Sequence, residues 1–153
     1  MRMFAVAAIS FVFFLVVLPA APFAQNVGDG LSPSELGPLH IQVLNSASDD
    51  CWTNSDDVRD YAKDLLETKG YDTYFGDEDN IEGYTFFISV VARRHFGNCV
   101  GHIDLVISRV LWSGNTLGLY IVARDARTFA ETNGANTILF ERVQRFVENV
   151  PNG

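Results

Sequence analysis

An apolar N-terminal segment constrains the fold most, because it predicts that only the chain beyond it forms the mature protein. Residues 1–3 are a short basic start, and the 15 residues of 4–18 contain a single polar position, Ser10. Residues 19–24 then provide a small-residue exit with two prolines. This order is typical of a secretory signal peptide, since a membrane-spanning helix needs about 20 apolar residues without early prolines. We therefore predict a signal peptide over residues 1–24.

Cleavage is expected after Ala24, with Ala20 and Ala21 as alternative sites, and an uncleaved membrane anchor is the competing interpretation. The sequence contains no Asn-x-Ser/Thr sequon and no cysteine directly behind the apolar run. Both features favour a bacterial periplasmic or secreted protein over a glycosylated or lipid-anchored one. Contact with a membrane is then expected only through an uncleaved N-terminal segment.

Export gives the two cysteines, Cys51 and Cys99, a specific meaning. Two thiols in an oxidising compartment are more typical of a disulfide than of a metal or redox site. They are also too few for a disulfide-dense miniprotein or a four-cysteine zinc module. We predict a bond between Cys51 and Cys99.

Composition limits the rest of the chain to one globular domain. Hydrophobic residues make up 48% and charged residues 20% of the 153 residues, which is a globular balance. The formal net charge of −8 argues against a nucleic acid partner, because phosphate binding needs clustered Lys and Arg. Residues 25–38 are rich in glycine and proline without an apolar period, so they predict a flexible N-terminal arm. Residues 39–151 are then a single domain.

Hydrophobic periodicity predicts five strands and two helices in this domain. Alternating or β-branched runs predict strands at 39–44, 71–75, 84–92, 100–111 and 117–122. The alternation places Phe86, Ile88 and Val90 on the core side of the third strand, and Ile103, Leu105 and Ile107 on one face of the fourth. Side chains at helical spacing predict a first helix that ends near Gly70; they are Val58, Tyr61, Ala62, Leu65 and Leu66. A second helix is predicted from about Asn136 or Thr137 to Pro151. Residues 124–134 lack a clean period, and we expect at most one helical turn there, at Ala126, Phe129 and Ala130.

The order β-α-β-β-β-β-α predicts an α+β fold. We expect a single, mainly antiparallel sheet with both helices packed on one of its faces.

Charge is unevenly distributed along the chain. Residues 25–83 carry 14 acidic and 3 basic side chains, whereas residues 84–153 carry 5 and 7. The favoured interpretation is a solvated acidic helix that keeps an exported domain soluble. The alternative is an acidic binding surface for a basic partner or a cation, formed by Asp56, Asp57, Asp60 and Asp64.

His102 and Asp104 are the one His/Asp pair at short range. On a strand, positions i and i+2 share a face, so the imidazole and the carboxylate could contact each other. A catalytic pair also needs a nucleophile and a pocket, and no Gly-x-Ser-x-Gly turn or similar signature accompanies it. We therefore favour two polar residues on a solvent-facing sheet surface and keep the pair as the weak catalytic candidate.

No metal or cofactor is predicted. His95, Cys99 and His102 resemble a metal set in composition, but the disulfide would use Cys99. The acidic run 77–82 offers oxygen ligands, yet it lacks the glycine of the calcium loop and, at Ile88, its final bidentate Glu.

Two further features carry less information. The pairs Arg93–Arg94 and Arg124/Arg127 are too few for a polyanion groove. The two tryptophans, at positions 52 and 112, are interpreted as lids on the core rather than as interface anchors.

The leading functional prediction is an exported, non-enzymatic binding or accessory domain. Its partner is expected to be another envelope protein or a small ligand, bound through the sheet face or the acidic helix. The first alternative is a small hydrolase or metal-dependent enzyme centred on His102 and Asp104. The second is an accessory domain whose partner is a homologous copy of itself.

Overall fold

Three helices and five strands make up the described part of the chain, residues 32–76 and 83–150 of a computed structural model. In chain order they are α1 (Pro33–Leu36), β1 (Leu39–Ala47), α2 (Ser55–Thr68), β2 (Thr73–Tyr74), β3 (Tyr84–His95), β4 (Asn98–Ser113), β5 (Thr116–Glu131) and α3 (Ile138–Asn149). The predicted signal peptide, residues 25–31 of the predicted N-terminal arm, and the acidic run 77–82 lie outside the described residues.

One five-stranded sheet has the order β2-β1-β3-β4-β5. β1 runs parallel to both of its neighbours, β2 and β3, whereas β3, β4 and β5 form an antiparallel meander. The α+β class is confirmed, but the prediction of a mainly antiparallel sheet is wrong, because the sheet is mixed. The cause is the position of β1 between β2 and β3. Both neighbours run parallel to β1, so the chain between β2 and β3 crosses over β1 and does not form a hairpin.

β5 is longer than the sequence indicated. The predicted helical turn at Ala126, Phe129 and Ala130 is wrong, since all three residues continue β5 and pair with β4. A register shift at Ile107/Ser108 leaves Val122 as the extra residue of a β-bulge. β5 is an edge strand, and after Ala123 none of its residues is buried and Phe129 is its one hydrophobic side chain packed against the core. A strand with so little burial has little reason to alternate.

The strand faces that the period-two pattern predicted to be buried form the core. The buried strand residues alternate along β3 and β4: Phe86, Ile88 and Val90, then Ile103, Leu105 and Ile107. The helices contribute buried side chains to the same core: Val58, Ala62 and Leu66 from α2, and Leu139, Val143, Phe146 and Val147 from α3. The ring of Phe146 stacks on that of Phe86 with centroids 5.1 Å apart. This apolar burial is the main source of stability.

The short helix α1 belongs to this folded unit. Leu36 in this helix is buried in the core. The backbone N–H of Ser32 donates a hydrogen bond to the Glu35 carboxylate (2.7 Å), and this capping contact lowers the pKa of Glu35. Within residues 32–76 and 83–150, no helix has the length and apolar character needed to cross a membrane.

Candidate functional site

The predicted disulfide between Cys51 and Cys99 is confirmed. The Sγ atoms are 2.02 Å apart, and both residues are fully buried. The bond joins the loop after β1 to the start of strand β4, where Cys99 is the second residue. It is consistent with an extracytoplasmic location, because structural disulfides persist in oxidising compartments.

Arg94 ties three chain segments together at the same end of the molecule. Its guanidinium donates hydrogen bonds to the backbone oxygens of Asp49, Gly97 and Thr132 at 3.1–3.3 Å. The loop that follows β5 contacts the bridge as well, since the N–H of Ala135 donates to the Cys51 carbonyl (2.7 Å). This end of the molecule is therefore a cross-braced structural region.

His102 and Asp104 lie on one face of β4, as their spacing predicts, but Asp104 is engaged elsewhere. Both of its carboxylate oxygens accept hydrogen bonds from Arg124 on β5, at 3.0 and 2.7 Å. Asp104 raises the pKa of Arg124 through these bonds and through its charge. The carboxylate is oriented toward a guanidinium rather than toward the imidazole, which is the arrangement of a structural ion pair.

His102 lines an open depression of about 530 Å³ on this face of the sheet. Val91 and Val100 form apolar walls, and Ser46, Ser48 and Thr128 contribute hydroxyl groups. Within the described ranges, none of these hydroxyls is hydrogen-bonded to His102, and Ser48 donates instead to Asp49 (3.1 Å). The depression has polar groups but not the nucleophile and base contact that hydrolysis needs.

Asp104→Asn is expected to lower the free energy of unfolding by about 1 kcal/mol, because a bidentate, partly exposed ion pair contributes at the upper end of the surface range. Chemical denaturation measures this loss. The matched control is Asp125→Asn, which removes the same charge from β5 where the Arg127 contact is longer (3.9 Å). Equal effects for the two variants would show that the Asp104–Arg124 geometry contributes nothing.

The four carboxylates of the predicted acidic surface lie on the exposed side of α2: Asp56, Asp57, Asp60 and Asp64. Arg59 contacts two of them, at 3.2 Å from Asp56 and 3.2 Å from Asp60. The same guanidinium lies 4.7 Å from the ring centroid of Phe75. The acidic helix is thus partly neutralised by its own arginine, and its role in binding stays a prediction.

Residues 32–76 and 83–150 contain no group of three His, Cys, Asp or Glu side chains that could hold a metal ion. Cys99 is oxidised, so the set His95, Cys99 and His102 lacks a thiolate ligand. The acidic run 77–82 lies outside the described residues.

Sequence reasoning missed the feature that stands out most, the far end of the β4–β5 hairpin. β3 pairs with β4 only as far as Ser108, so that beyond it, within residues 32–76 and 83–150, β5 is the one strand that pairs with β4. We call residues 109–121 the hairpin tip. Its large side chains are 39–69% exposed: Leu111, Trp112, Leu117, Leu119, Tyr120 and Ile121. Taken over both faces of the hairpin, they present on the order of 600 Å² of apolar surface.

One face of the hairpin tip is an apolar ladder. Residues paired across two strands share a face, and the pairs Trp112–Leu117 and Val110–Leu119 therefore lie side by side, followed by Ile121 opposite Ser108. No charged residue occurs between positions 110 and 123.

Arg109 fastens the base of the tip from the other face. Its guanidinium carbon lies 5.0 Å from the Tyr84 ring centroid and 5.9 Å from that of Tyr120, which is cation–π range. The tip is therefore attached to the body of the sheet at its base, and it exposes its apolar ladder.

The sequence signal that could have revealed this surface is the absence of charged residues between positions 110 and 123. The interpretation of Trp112 as a core lid is wrong, since its side chain is 69% exposed.

Comparison with known proteins identifies no family. No family model matches the chain, and no curated protein sequence is significantly similar to it. Among solved structures, a dodecamer of a PelC variant from Paraburkholderia phytofirmans is similar with a TM-score of 0.46 and 12% identity, over 78% of this chain and 90% of that one. The PelC dodecamer from the same organism gives 0.44 and 10%, over 74% and 86%. Similarity at this level assigns neither a function nor an assembly to the present chain.

Proposed function

We propose that the protein is an exported, non-enzymatic interaction module that binds another protein through its hairpin tip, in the periplasm or outside the cell. The observation that carries this proposal is the group of six large exposed apolar side chains within the uncharged stretch 110–123, at the end of the hairpin that extends beyond β3. Apolar surface of this extent on an exported domain is costly to leave in water and gains free energy when a partner covers it.

Two properties of the tip fit a protein partner. Trp and Tyr are the residue types that contribute most to binding energy at interfaces, and the tip exposes Trp112 and Tyr120. The cation–π contacts of Arg109 hold Tyr120 at the base, so less conformational entropy is lost when the tip is covered.

The other candidate surfaces are weaker. The acidic side of α2 is hydrated and partly neutralised by Arg59, so it contributes to partner approach more than to affinity. The hydrolase alternative loses its electrostatic basis, because the Asp104 carboxylate that would orient His102 is held by Arg124.

A paired-variant capture experiment tests the proposal. Tagged mature protein is incubated with an envelope extract from the source cells and cross-linked, and recovered partners are quantified. Leu117→Ser combined with Leu119→Ser should reduce recovery about tenfold or more, since each lost apolar contact in an interface centre weakens binding by about 1–2 kcal/mol.

The control changes exposed apolar side chains elsewhere on the sheet. Val91→Ser combined with Val100→Ser removes similarly exposed valines and should leave recovery unchanged. Raised salt should have little effect, because residues 110–123 carry no charge and Arg109, the one charged residue of the tip, lies at its base against Tyr84 and Tyr120. Recovery that is equal for both double variants, or that depends on salt alone, would overturn the proposal.

A further inference from the structure

The hairpin tip also has an open strand edge. β5 is 16 residues long and pairs with β4 on one side, while no strand in the described ranges lies on its other side. Natural edge strands are commonly protected by proline, by lysine or by being short. The part of β5 before the bulge at Val122, residues 116–121, contains neither proline nor a charged residue, whereas β2 at the opposite edge of the sheet has two residues.

The exposed edge favours a protein strand over a lipid surface as its occupant. The outward N–H and C=O groups of an edge strand are hydrated in water, and each would cost several kcal/mol if moved unpaired into hydrocarbon. A second β-strand satisfies these groups and contacts the apolar side chains at the same time. The edge therefore fits a peptide backbone in extended conformation.

The uncharged part of β5 is complementary to itself. If two copies of residues 117–121 run antiparallel about a two-fold axis at Leu119, each Leu119 faces its own equivalent. Leu117 then faces Ile121 of the second copy, and Gly118 faces Tyr120 of the second copy, an aromatic–glycine pairing that sheets accept well. No charged side chain opposes another in this register, and each apolar pair stabilises the contact.

We infer that the edge of β5 pairs with β5 of a second copy of this chain, in the antiparallel register with Leu119 on the two-fold axis. Such a contact is isologous, so assembly closes at a dimer, and the two-residue β2 at the other edge offers little template for continued growth.

The dimer deepens the proposed function, on which this inference rests, because it enlarges the same binding surface. One ladder is only part of the roughly 600 Å² that both faces of a tip expose, and that total is itself less than the roughly 800 Å² per partner of a standard interface. Edge pairing places the ladders of two tips on one face of a continuous four-stranded sheet. The surface offered to the proposed partner is then complete only when the second copy is present.

Complementary charge variants test the register. Purified mature wild-type protein should be dimeric in sedimentation equilibrium at concentrations of about 100 µM. Leu119→Lys and Leu119→Glu should each weaken dimerisation about tenfold or more, because two like charges then face each other across the axis. An equimolar mixture of the two variants should recover the dimer mass, since lysine then faces glutamate.

Val91→Lys is the matched control, because Val91 is 56% exposed and Leu119 58%, and it should remain dimeric. Circular dichroism checks that each variant is folded. A monomeric wild type, a dimeric Leu119→Lys protein, or a mixture that stays monomeric would each overturn the inference. A monomeric wild type that still captures a partner through its tip would overturn the dimer alone and leave the proposed function intact.

Discussion

Replacing Cys51 and Cys99 together by alanine is expected to lower the free energy of unfolding by about 4 kcal/mol, because the bond closes a loop with a sequence separation of 48 residues. In the loop-entropy description, a cross-link of this span removes a large part of the freedom of the unfolded chain. Alanine is used rather than serine because both cysteines are fully buried, and serine would place a hydroxyl group in the core. A loss of this size is comparable to a large share of the total stability of a domain.

Chemical denaturation followed by fluorescence of the buried Trp52, the neighbour of Cys51, measures this loss. Each single alanine variant should lose nearly as much as the double variant, since either change removes the bond. Native wild-type protein should not react with a thiol label until it is unfolded and reduced. Labelling of the untreated native protein, or equal stability of the double variant and the wild type, would contradict the prediction.

The elements with a clear hydrophobic period were predictable from the sequence. The alternation in β3 and β4 assigned Phe86, Ile88, Ile103 and Leu105 to the core side, and all four are buried. A period of this kind records the burial of one face of an element, so it is reliable where one face is covered and the other is not. The disulfide was predictable for a different reason, since it follows from the predicted export.

The direction and extent of strand pairing were not predictable in the same way. Nothing local in Leu39–Ala47 shows that β1 pairs in parallel with strands on both sides, because that pairing depends on where the later segments return. Residues 124–131 form a strand through their register with β4, and their own side chains show no period. In both cases non-local hydrogen bonds override local preference.

The candidate site shows the same limit. Leu117 and Leu119 have the pattern of a half-buried strand, and their exposure is known only once β3 is seen to stop at the base of the hairpin. The spacing of His102 and Asp104 correctly placed both on one strand face. It did not reveal Arg124, which is 20 residues away in sequence and binds the carboxylate.

Gly134→Ala is expected to lower the free energy of unfolding by about 3 kcal/mol or more, for two separate reasons. The first is conformational, since Gly134 has φ +73° and a side chain in the left-handed region costs about 1–2 kcal/mol. The second is steric, because an added Cβ would lie 2.2 Å from the carbonyl oxygen of Cys51. That carbonyl accepts the Ala135 N–H and belongs to a disulfide-bonded residue, so moving it away disturbs the core, at a cost of about 1–3 kcal/mol.

Gly114→Ala separates these two causes. Gly114 also has a positive φ, +61°, but an added Cβ there would meet nothing within 4 Å, so only the conformational cost of about 1 kcal/mol remains. In the cysteine-free background the Cys51 loop is freer to shift, and the excess cost of Gly134→Ala over Gly114→Ala should shrink, as expected for coupled neighbours. Thermal and chemical denaturation of Gly134→Ala and Gly114→Ala, each in the disulfide-bonded and in the cysteine-free background, measures this coupling. Equal costs for the two glycine substitutions in the disulfide-bonded protein would show that the contact with Cys51 does not constrain the loop after β5.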